Sequence, residues 1–315
     1  MPDDPVSTEC ALGRFDLTQL AWAAGFFDGE GTTIARNDSL RPGYRQLQVS
    51  VPQTGHTGTP AVLFRFHRAV LGMGRIEPPN ADDTYTWRAC MFEEAQAVIA
   101  LLWRYLGPVK REQAAAALRA VREQYESGRY ESRRSRRPST PHATHDAGGI
   151  VPYTAEDLEH AWAAGFLDAE GWFGLARARS RKRLVPWYRI RVSASQHGLV
   201  GVPAAVLLRL QRAFNGIGRI ERHGEPDDFK WLVEGRANIE CVLAMTSPWL
   251  GTVKLQQARN ALEAYRLARG RWPERLEDLS SAGLIAPDTL ATVAGRAYYS
   301  MDRDQEPIFL APERF

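Results

Sequence analysis

The stretch AWAAGFFDGEG at residues 21–31 returns as AWAAGFLDAEG at residues 161–171, with nine of its eleven positions identical. The match continues in order along the chain. Asp28 corresponds to Asp168 at an offset of 140, Gln53 to Gln196 at 143, and Arg75, Trp87 and Lys110 to Arg219, Trp231 and Lys254, all at 144. An offset that becomes constant beyond about residue 65 places the length differences in loops near the first strands. A period this long is no solenoid unit, so the chain is read as one domain duplicated. Its 315 residues agree with two domains of about 100–200 residues each.

Between the copies, residues 127–153 form a linker without apolar periodicity, with five Arg between Arg129 and Arg137. Each copy, 1–126 and 154–269, has the same signals. A helix is expected to begin near Asp16 or Thr18, and near Thr154, where Asp157 completes a capping-box spacing. Gly31 and Gly171 end these helices. QLQVSV at 46–51 and YRIRVSAS at 188–195 alternate with the period of half-buried strands. Further helices are expected over 60–71 and 203–215, with Pro at the first helical position and Gly just past the end. A second hairpin follows in each copy, then helices at 93–106 and 109–125. The fold class is therefore α+β: two αββαββα units whose helices cover one sheet face and leave the other open. Residues 270–315 remain as an accessory tail, expected to dock on the outer helices.

The net charge of +3 conceals a segregation. From Trp172 to Ile220 there are ten Lys and Arg and no Asp or Glu, and from Thr32 to Ile76 six Arg and one acid. Within the strands Gln46, Gln48 and Ser50 alternate with apolar residues, as do Arg189, Arg191 and Ser193. An open face carrying Arg, Gln and Ser suits base edges and phosphates, so duplex DNA is the expected partner. Arg36, Arg75, Arg177, Arg179, Arg181 and Arg219 complete the candidate DNA-binding set.

Glu30 and Glu170 each end an apolar helix, where the helix dipole disfavours a negative charge. Gly25 and Gly29 in one copy, and Gly165 and Ala169 in the other, put small residues on one helical face and permit close approach of two helices. If these helices pack about a pseudo-twofold axis, the two carboxylates meet beside the basic sheets. Paired carboxylates facing a polyanion call for divalent cations, and oxygen ligands favour Mg²⁺ over Zn²⁺; this is the arrangement of metal-assisted phosphodiester hydrolysis.

The paired GFFDGEG and GFLDAEG motifs, each preceded by Ala-Ala, resemble those of the LAGLIDADG homing endonucleases, and the resemblance covers about 17–126 and 155–269. It implies that the motif helices form the interdomain interface and that two curved sheets form a saddle over DNA. It further implies a monomeric, site-specific double-strand endonuclease active in intron homing, cutting a long asymmetric target across the minor groove and leaving short 3′ overhangs. Carried over by position, Glu30 and Glu170 become metal ligands assisted by the backbone carbonyls of Gly29 and Ala169, holding two or three Mg²⁺ ions that Mn²⁺ or Ca²⁺ replaces in binding. Gln53 and Gln196 match the glutamine that orders water near the metals. Lys110 and Lys254, two of only four lysines in the chain, match the basic residue that stabilises charge developing on the phosphate.

A second reading keeps the fold and drops catalysis, as in an intron maturase or a transcription regulator. The presence of both acids, both Gln and both Lys favours the enzyme. No run of about 18 apolar residues suggests a membrane span, and the acidic start MPDDPVSTEC lacks the order of a secretion signal. A cytoplasmic or organelle-interior location is expected. Cys10, Cys90 and Cys241 are too far apart and odd in number for a disulfide framework or a cysteine zinc site. The ends lack an intein's His-Asn, which points to a free-standing enzyme.

Overall fold

Asp16 decides where the first helix starts. Its carboxylate accepts the backbone N–H groups of Thr18 (2.9 Å) and Gln19 (3.4 Å), two donors without an intrahelical partner, and α1 runs Leu17–Glu30. In the second half Thr154 and Asp157 form the expected capping box, with reciprocal bonds of 3.0 and 2.8 Å, and α5 runs Ala155–Glu170. Gly31 and Gly171 cap both helices in an extended conformation. Space requires glycine there: a Cβ on Gly31 would stand 2.2 Å from the Phe27 ring, and one on Gly171 2.3 Å from the Leu167 carbonyl oxygen.

The computed structural model describes residues 16–37, 43–54, 60–126, 153–180, 183–268 and 307–308. After α1 come β1 (Thr32–Asn37), β2 (Arg45–Thr54), α2 (Ala61–Ala69), β3 (Arg75–Glu77), β4 (Thr84–Ala89), α3 (Phe92–Leu102) and α4 (Pro108–Glu126). After α5 come β5 (Gly171–Ser180), β6 (Arg183–His197), α6 (Ala205–Ala213), β7 (Arg219–Arg222), β8 (Asp228–Glu234), α7 (Arg236–Thr246) and α8 (Thr252–Ala268), with β9 at Pro307–Ile308. Each repeat thus closes with two helices where the formula αββαββα counts one. The linker expected over 127–153 lies outside the described residues except for Tyr153.

Both sheets are antiparallel, in the orders β1-β2-β4-β3 and β7-β8-β6-β5-β9. The expected alternation holds: Leu47, Val49 and Val51 are buried under the helices, as are Ile190, Val192 and Ala194. Trp87 and Trp231 occupy equivalent core positions, their indole N–H groups donating to Met73 O and Ile217 O, both at 3.0 Å. Gly72 and Gly216, just past α2 and α6, take the left-handed conformation (φ +71° and +82°) that glycine adopts without strain. The prolines fall earlier than expected. Pro60 is the N-cap of α2, its carbonyl accepting the Phe64 N–H (3.0 Å), and Pro203 precedes the N-cap Ala204 of α6, so neither holds the first helical position.

Two further expectations change. Arg65 and Arg68 lie on α2, and Arg209 and Arg212 on α6, so the basic stretches are not confined to strands. In the tail, the described residues 307–308 pair antiparallel with β5, Ile308 opposite Leu175, which places them on the second sheet's edge and not on the outer helices.

α1 and α5 pack on each other across the pseudo-twofold axis. Residues Leu20–Asp28 and His160–Asp168 are buried, as for helices enclosed on all sides. The contact is reciprocal in detail. A Cβ on Gly25 would stand 1.9 Å from Trp162 O, and a Cβ on Gly165 1.9 Å from Trp22 O. The small residues singled out in the sequence therefore permit backbone-to-backbone contact between the halves. One step towards the helix ends, a Cβ on Gly29 would stand 2.5 Å from the Cβ of Ala169.

Candidate functional site

The two motif helices deliver Glu30 and Glu170 to one place. A Cβ built on Gly29 would lie 3.1 Å from Glu170 Cγ and 3.7 Å from its Oε1, so the second half's carboxylate sits against the first half's helix end. Both acids are partly buried. Burial, and next the Glu170 charge, raises Glu30 to about 7, opposed by Lys254 and Lys110. Burial likewise raises Glu170, opposed by Lys110, Lys254, a hydrogen bond from Gln196 and the charge of His197. A carboxylate pair held above its ordinary range carries mutually repelling negative charge that a proton, or a cation in its place, would offset.

Each half supplies one lysine to the pair. Lys110, on the first turn of α4, donates to Gly31 O at 2.6 Å, and Lys254, on the first turn of α8, donates to Gly171 O at 2.5 Å. Both acceptors are the C-caps of the motif helices, whose carbonyls the helix leaves without a partner. Burial lowers the affinity of both ammonium groups for their proton, while Asp28 or Asp168 and the two glutamates work the other way.

The glutamines differ. Gln196 Nε2 donates to Glu170 Oε1 at 3.0 Å. Gln53 has its Oε1 buried without a hydrogen-bond partner. Both stand one residue out of phase with the polar positions of their strands, on the face that also carries Val51 and Ala194. That phase puts both on the helix-covered side of their sheets and away from the open face, and there Gln196 reaches the end of α5 at Glu170.

Sequence reasoning left the aspartates of the motifs without a role, and the structure gives them one. Asp28 accepts the Trp162 indole N–H (2.8 Å) and the Gly107 N–H (2.9 and 2.8 Å), with Arg209 at 3.9 Å. Asp168 accepts the Trp22 indole N–H (2.7 Å) and the Gly251 N–H (2.9 and 2.8 Å), with Arg65 at 3.8 Å. Burial raises both to about 6 against these donors. Arg65 lies over Trp22 at 3.8 Å and donates to Trp249 O; Arg209 lies over Trp162 at 3.9 Å and donates to Tyr105 O. These two arginines therefore tie the halves together and do not belong to a DNA-facing surface. The signal was in the repeat: Trp22 recurs as Trp162 and Arg65 as Arg209 at the shared offsets.

On the open face, cross-strand register groups Arg36, Gln46 and, opposite Ser50, Arg88 in the first half. In the second it sets Glu234 opposite Arg191 and Lys230 opposite Ser195, and Glu234 also pairs with Arg189. Arg36, Gln46, Arg75, Arg189 and Arg219 are exposed, and Ser50 and Arg191 partly so. Gln48 and Ser193, expected to present themselves there, are each 7% exposed. Their directly opposed neighbours, Ile34 for Gln48 and Trp172 and Leu232 for Ser193, are large apolar residues on the same face. The side chains of Arg177 and Arg179, and all of Arg181, lie outside the described residues. The face is also less uniformly basic than a window ending at Ile220 indicated. Glu234 lies 3.2 Å from Arg189, 2.7 Å from Arg191 and 3.2 Å from Arg219, and Glu77 pairs with Arg88 at 2.7 Å.

Among the described residues no group of three or more His, Cys, Asp or Glu forms a ready-made metal cage, no helix is long and apolar enough to cross a membrane, and Cys90 and Cys241 are free.

Solved structures share this architecture. The I-LtrWI LAGLIDADG homing endonuclease bound to target DNA aligns with 91% of this chain and 100% of its own at a TM-score of 0.59 and 14% identity. The chain has the LAGLIDADG homing endonuclease fold. The LAGLIDADG meganucleases I-AabMI and I-CpaMI, each bound to uncleaved DNA, align with 83% and 89% of this chain and 96% and 98% of their own, at TM-scores of 0.59 and 0.58 and identities of 17% and 15%. No family model matches the sequence, and no curated protein matches it. The LAGLIDADG fold accounts for the helix pair, the two antiparallel sheets and the position of the carboxylates between them.

Proposed function

We propose that this protein is a site-specific endonuclease that hydrolyses both strands of duplex DNA. The observation that carries the reading is the meeting of Glu30 and Glu170 at the end of the helix pair, with Lys110, Lys254 and Gln196 around them and two polar sheet faces beside them. A scaffold needed only for binding has no use for two partly buried carboxylates held together against their mutual repulsion. The DNA-bound neighbours support the same reading.

The donor set suits a hard divalent cation. Glu30 and Glu170 supply carboxylate oxygens, the Gln53 amide oxygen is buried without a partner, and the family resemblance adds the carbonyls of Gly29 and Ala169; all are oxygens, as Mg²⁺ prefers. With only two carboxylates, such ions complete their shells with water and phosphate oxygens, and two or three can share the pair, Mn²⁺ or Ca²⁺ replacing Mg²⁺ in binding. Bound there, Mg²⁺ would neutralise charge on the attacked phosphate and make water a better nucleophile at neutral pH. The chain's own residues do the rest. Lys110 and Lys254 present positive charge beside the pair, Gln196 and Gln53 orient polar groups around it, and the open faces hold the duplex by Arg and Gln contacts to phosphates and base edges. One chain carries both halves, so a monomer acts on an asymmetric target, cutting across the minor groove to leave short 3′ overhangs.

The test is a pair of substitutions on a target selected from a randomised DNA library. Glu30→Gln and Glu170→Gln should each reduce cleavage at least about a hundredfold while gel-shift affinity for the target stays within about threefold of wild type. Undiminished cutting by either variant would remove the carboxylates from the reaction. Wild-type binding without cutting would instead favour the maturase or regulator reading.

A further inference from the structure

The carboxylates of Asp28 and Asp168 are each shared by the two halves. Asp28, on α1, accepts the N–H of Gly107, the residue that opens α4, and the indole N–H of Trp162 from the opposite half. Three residues beyond Gly107 lies Lys110, whose ammonium returns to α1 through Gly31 O at 2.6 Å. The second half repeats the circuit: Asp168 accepts from Gly251 and from Trp22, and Lys254 returns to Gly171 O. A carboxylate bridging both N–H sources fixes the start of the lysine-bearing helix against the motif helix, and the tryptophan of the other half fixes the carboxylate. Buried charged acceptors hold such donors more firmly than neutral ones do.

We propose that Asp28 and Asp168 are positioning residues through which each half's lysine is registered against the carboxylate pair by a tryptophan of the opposite half: Trp162 for Lys110 and Trp22 for Lys254. Neither aspartate nor tryptophan faces the open sheets, so this role is separate from DNA contact. It makes the two halves mutually dependent, because neither lysine is fully placed by its own repeat.

The chain's four lysines allow a direct test without DNA or metal. Reductive methylation with formaldehyde and cyanoborohydride, read by mass spectrometry, reports the accessibility of each lysine in the folded protein. Trp162→Phe retains a ring beneath Arg209 but loses the indole donor; it should raise labelling of Lys110 about tenfold and leave Lys254 unchanged. Trp22→Phe should do the reverse, with Lys230 on β8 as an internal reference in both. Asp28→Asn and Asp168→Asn, which keep one acceptor oxygen, should reproduce these one-sided effects and serve wherever a tryptophan variant fails to fold. Equal labelling changes at both lysines would mean only a loosened interface, and no change would remove the circuit; either overturns the inference.

A second arm rests on the endonuclease reading. In single-turnover cleavage with each strand end-labelled, Trp22→Phe and Trp162→Phe should slow opposite strands, with DNA affinity held. If the wild type does not cut while the labelling pattern appears, the endonuclease reading fails and the circuit stands. If it cuts and both variants slow the two strands equally, the circuit fails and the reading stands.

Discussion

In the second half, Gln196 donates to Glu170 at 3.0 Å; in the first, the amide oxygen of the equivalent Gln53 is buried with no partner. On the open faces Arg189 and Arg191 stand where the first half has Gln46 and Gln48, and Glu234 gathers three arginines where the first half has Cys90. At the helix pair, by contrast, the halves agree to 0.1 Å: a Cβ built on either Gly25 or Gly165 would stand 1.9 Å from the other half's tryptophan carbonyl oxygen. The difference follows from what each region touches. The interface is made of the two repeats themselves, so a change in one must fit the other. The sheets face an external partner and can differ independently, which gives an asymmetric target its physical basis.

The largest test of this comparison is steric. Gly25→Ala and Gly165→Ala each drive a methyl group into a backbone carbonyl, which can retreat only if the helices separate. Each should destabilise the fold by about 3 kcal/mol or more, and the two losses should agree within about 0.5 kcal/mol in chemical unfolding. Clearly unequal losses would break the twofold equivalence.

Next in size is a pH effect that is present only without metal. Glu30 titrates at about 7 in the folded chain against 4.5 when unfolded. Folding therefore favours its neutral form, and stability present below pH 4.5 is lost as pH rises through about 7. Asp28 and Asp168, raised to about 6 from 3.8, act with the same sign. In EDTA the protein should unfold more readily at pH 8 than at pH 5. Glu30→Gln should remove about 2 kcal/mol of that difference, allowing for the group's partial exposure, and Mg²⁺ should restore stability at pH 8 in wild type only. A pH-independent unfolding midpoint in EDTA would contradict the burial of the pair.

The smallest test addresses the glutamines. Gln196→Ala removes a hydrogen bond that favours ionised Glu170, so the titration of Glu170, followed by carboxyl ¹³C shifts, should move upward and cleavage at pH 7 should fall about fivefold. Gln53→Ala removes no bond to a glutamate in the free protein and should leave the titration of Glu30 in place. If the two variants behave alike, the two sites are more symmetric than their hydrogen bonds indicate.

The helix pair, the strand alternation and the convergence of Glu30 with Glu170 were legible because each depends on local spacing: small residues four apart, alternating polarity, an acid at an apolar helix end. The Trp22–Asp168 and Trp162–Asp28 bonds were not, since a tryptophan in an apolar helix reads as core and its single N–H becomes informative only when a partner helix brings an acceptor. Arg65 and Arg209 were counted with the basic strands because a charge tally does not tell a strand face from a buried helix flank. Glu234 escaped the same tally because it lies on the neighbouring strand in space but beyond the window in sequence. Gln53 and Gln196 came from the resemblance, although their break in the strand phase, a polar residue on the apolar side, was itself visible.

The reciprocal contact of α1 with α5 also bears on which halves could associate with themselves. It is isologous, each residue of one helix meeting its counterpart's partner on the other, and at Gly25 and Gly165 the two halves are interchangeable. At the next step they are not. Two first halves would set glycine against glycine at the position of Gly29, whereas two second halves would set alanine against alanine where a Cβ added to Gly29 would stand only 2.5 Å from that of Ala169. The first repeat has room to form a symmetric dimer, and the second reaches its present spacing only because its partner lacks a side chain at that point.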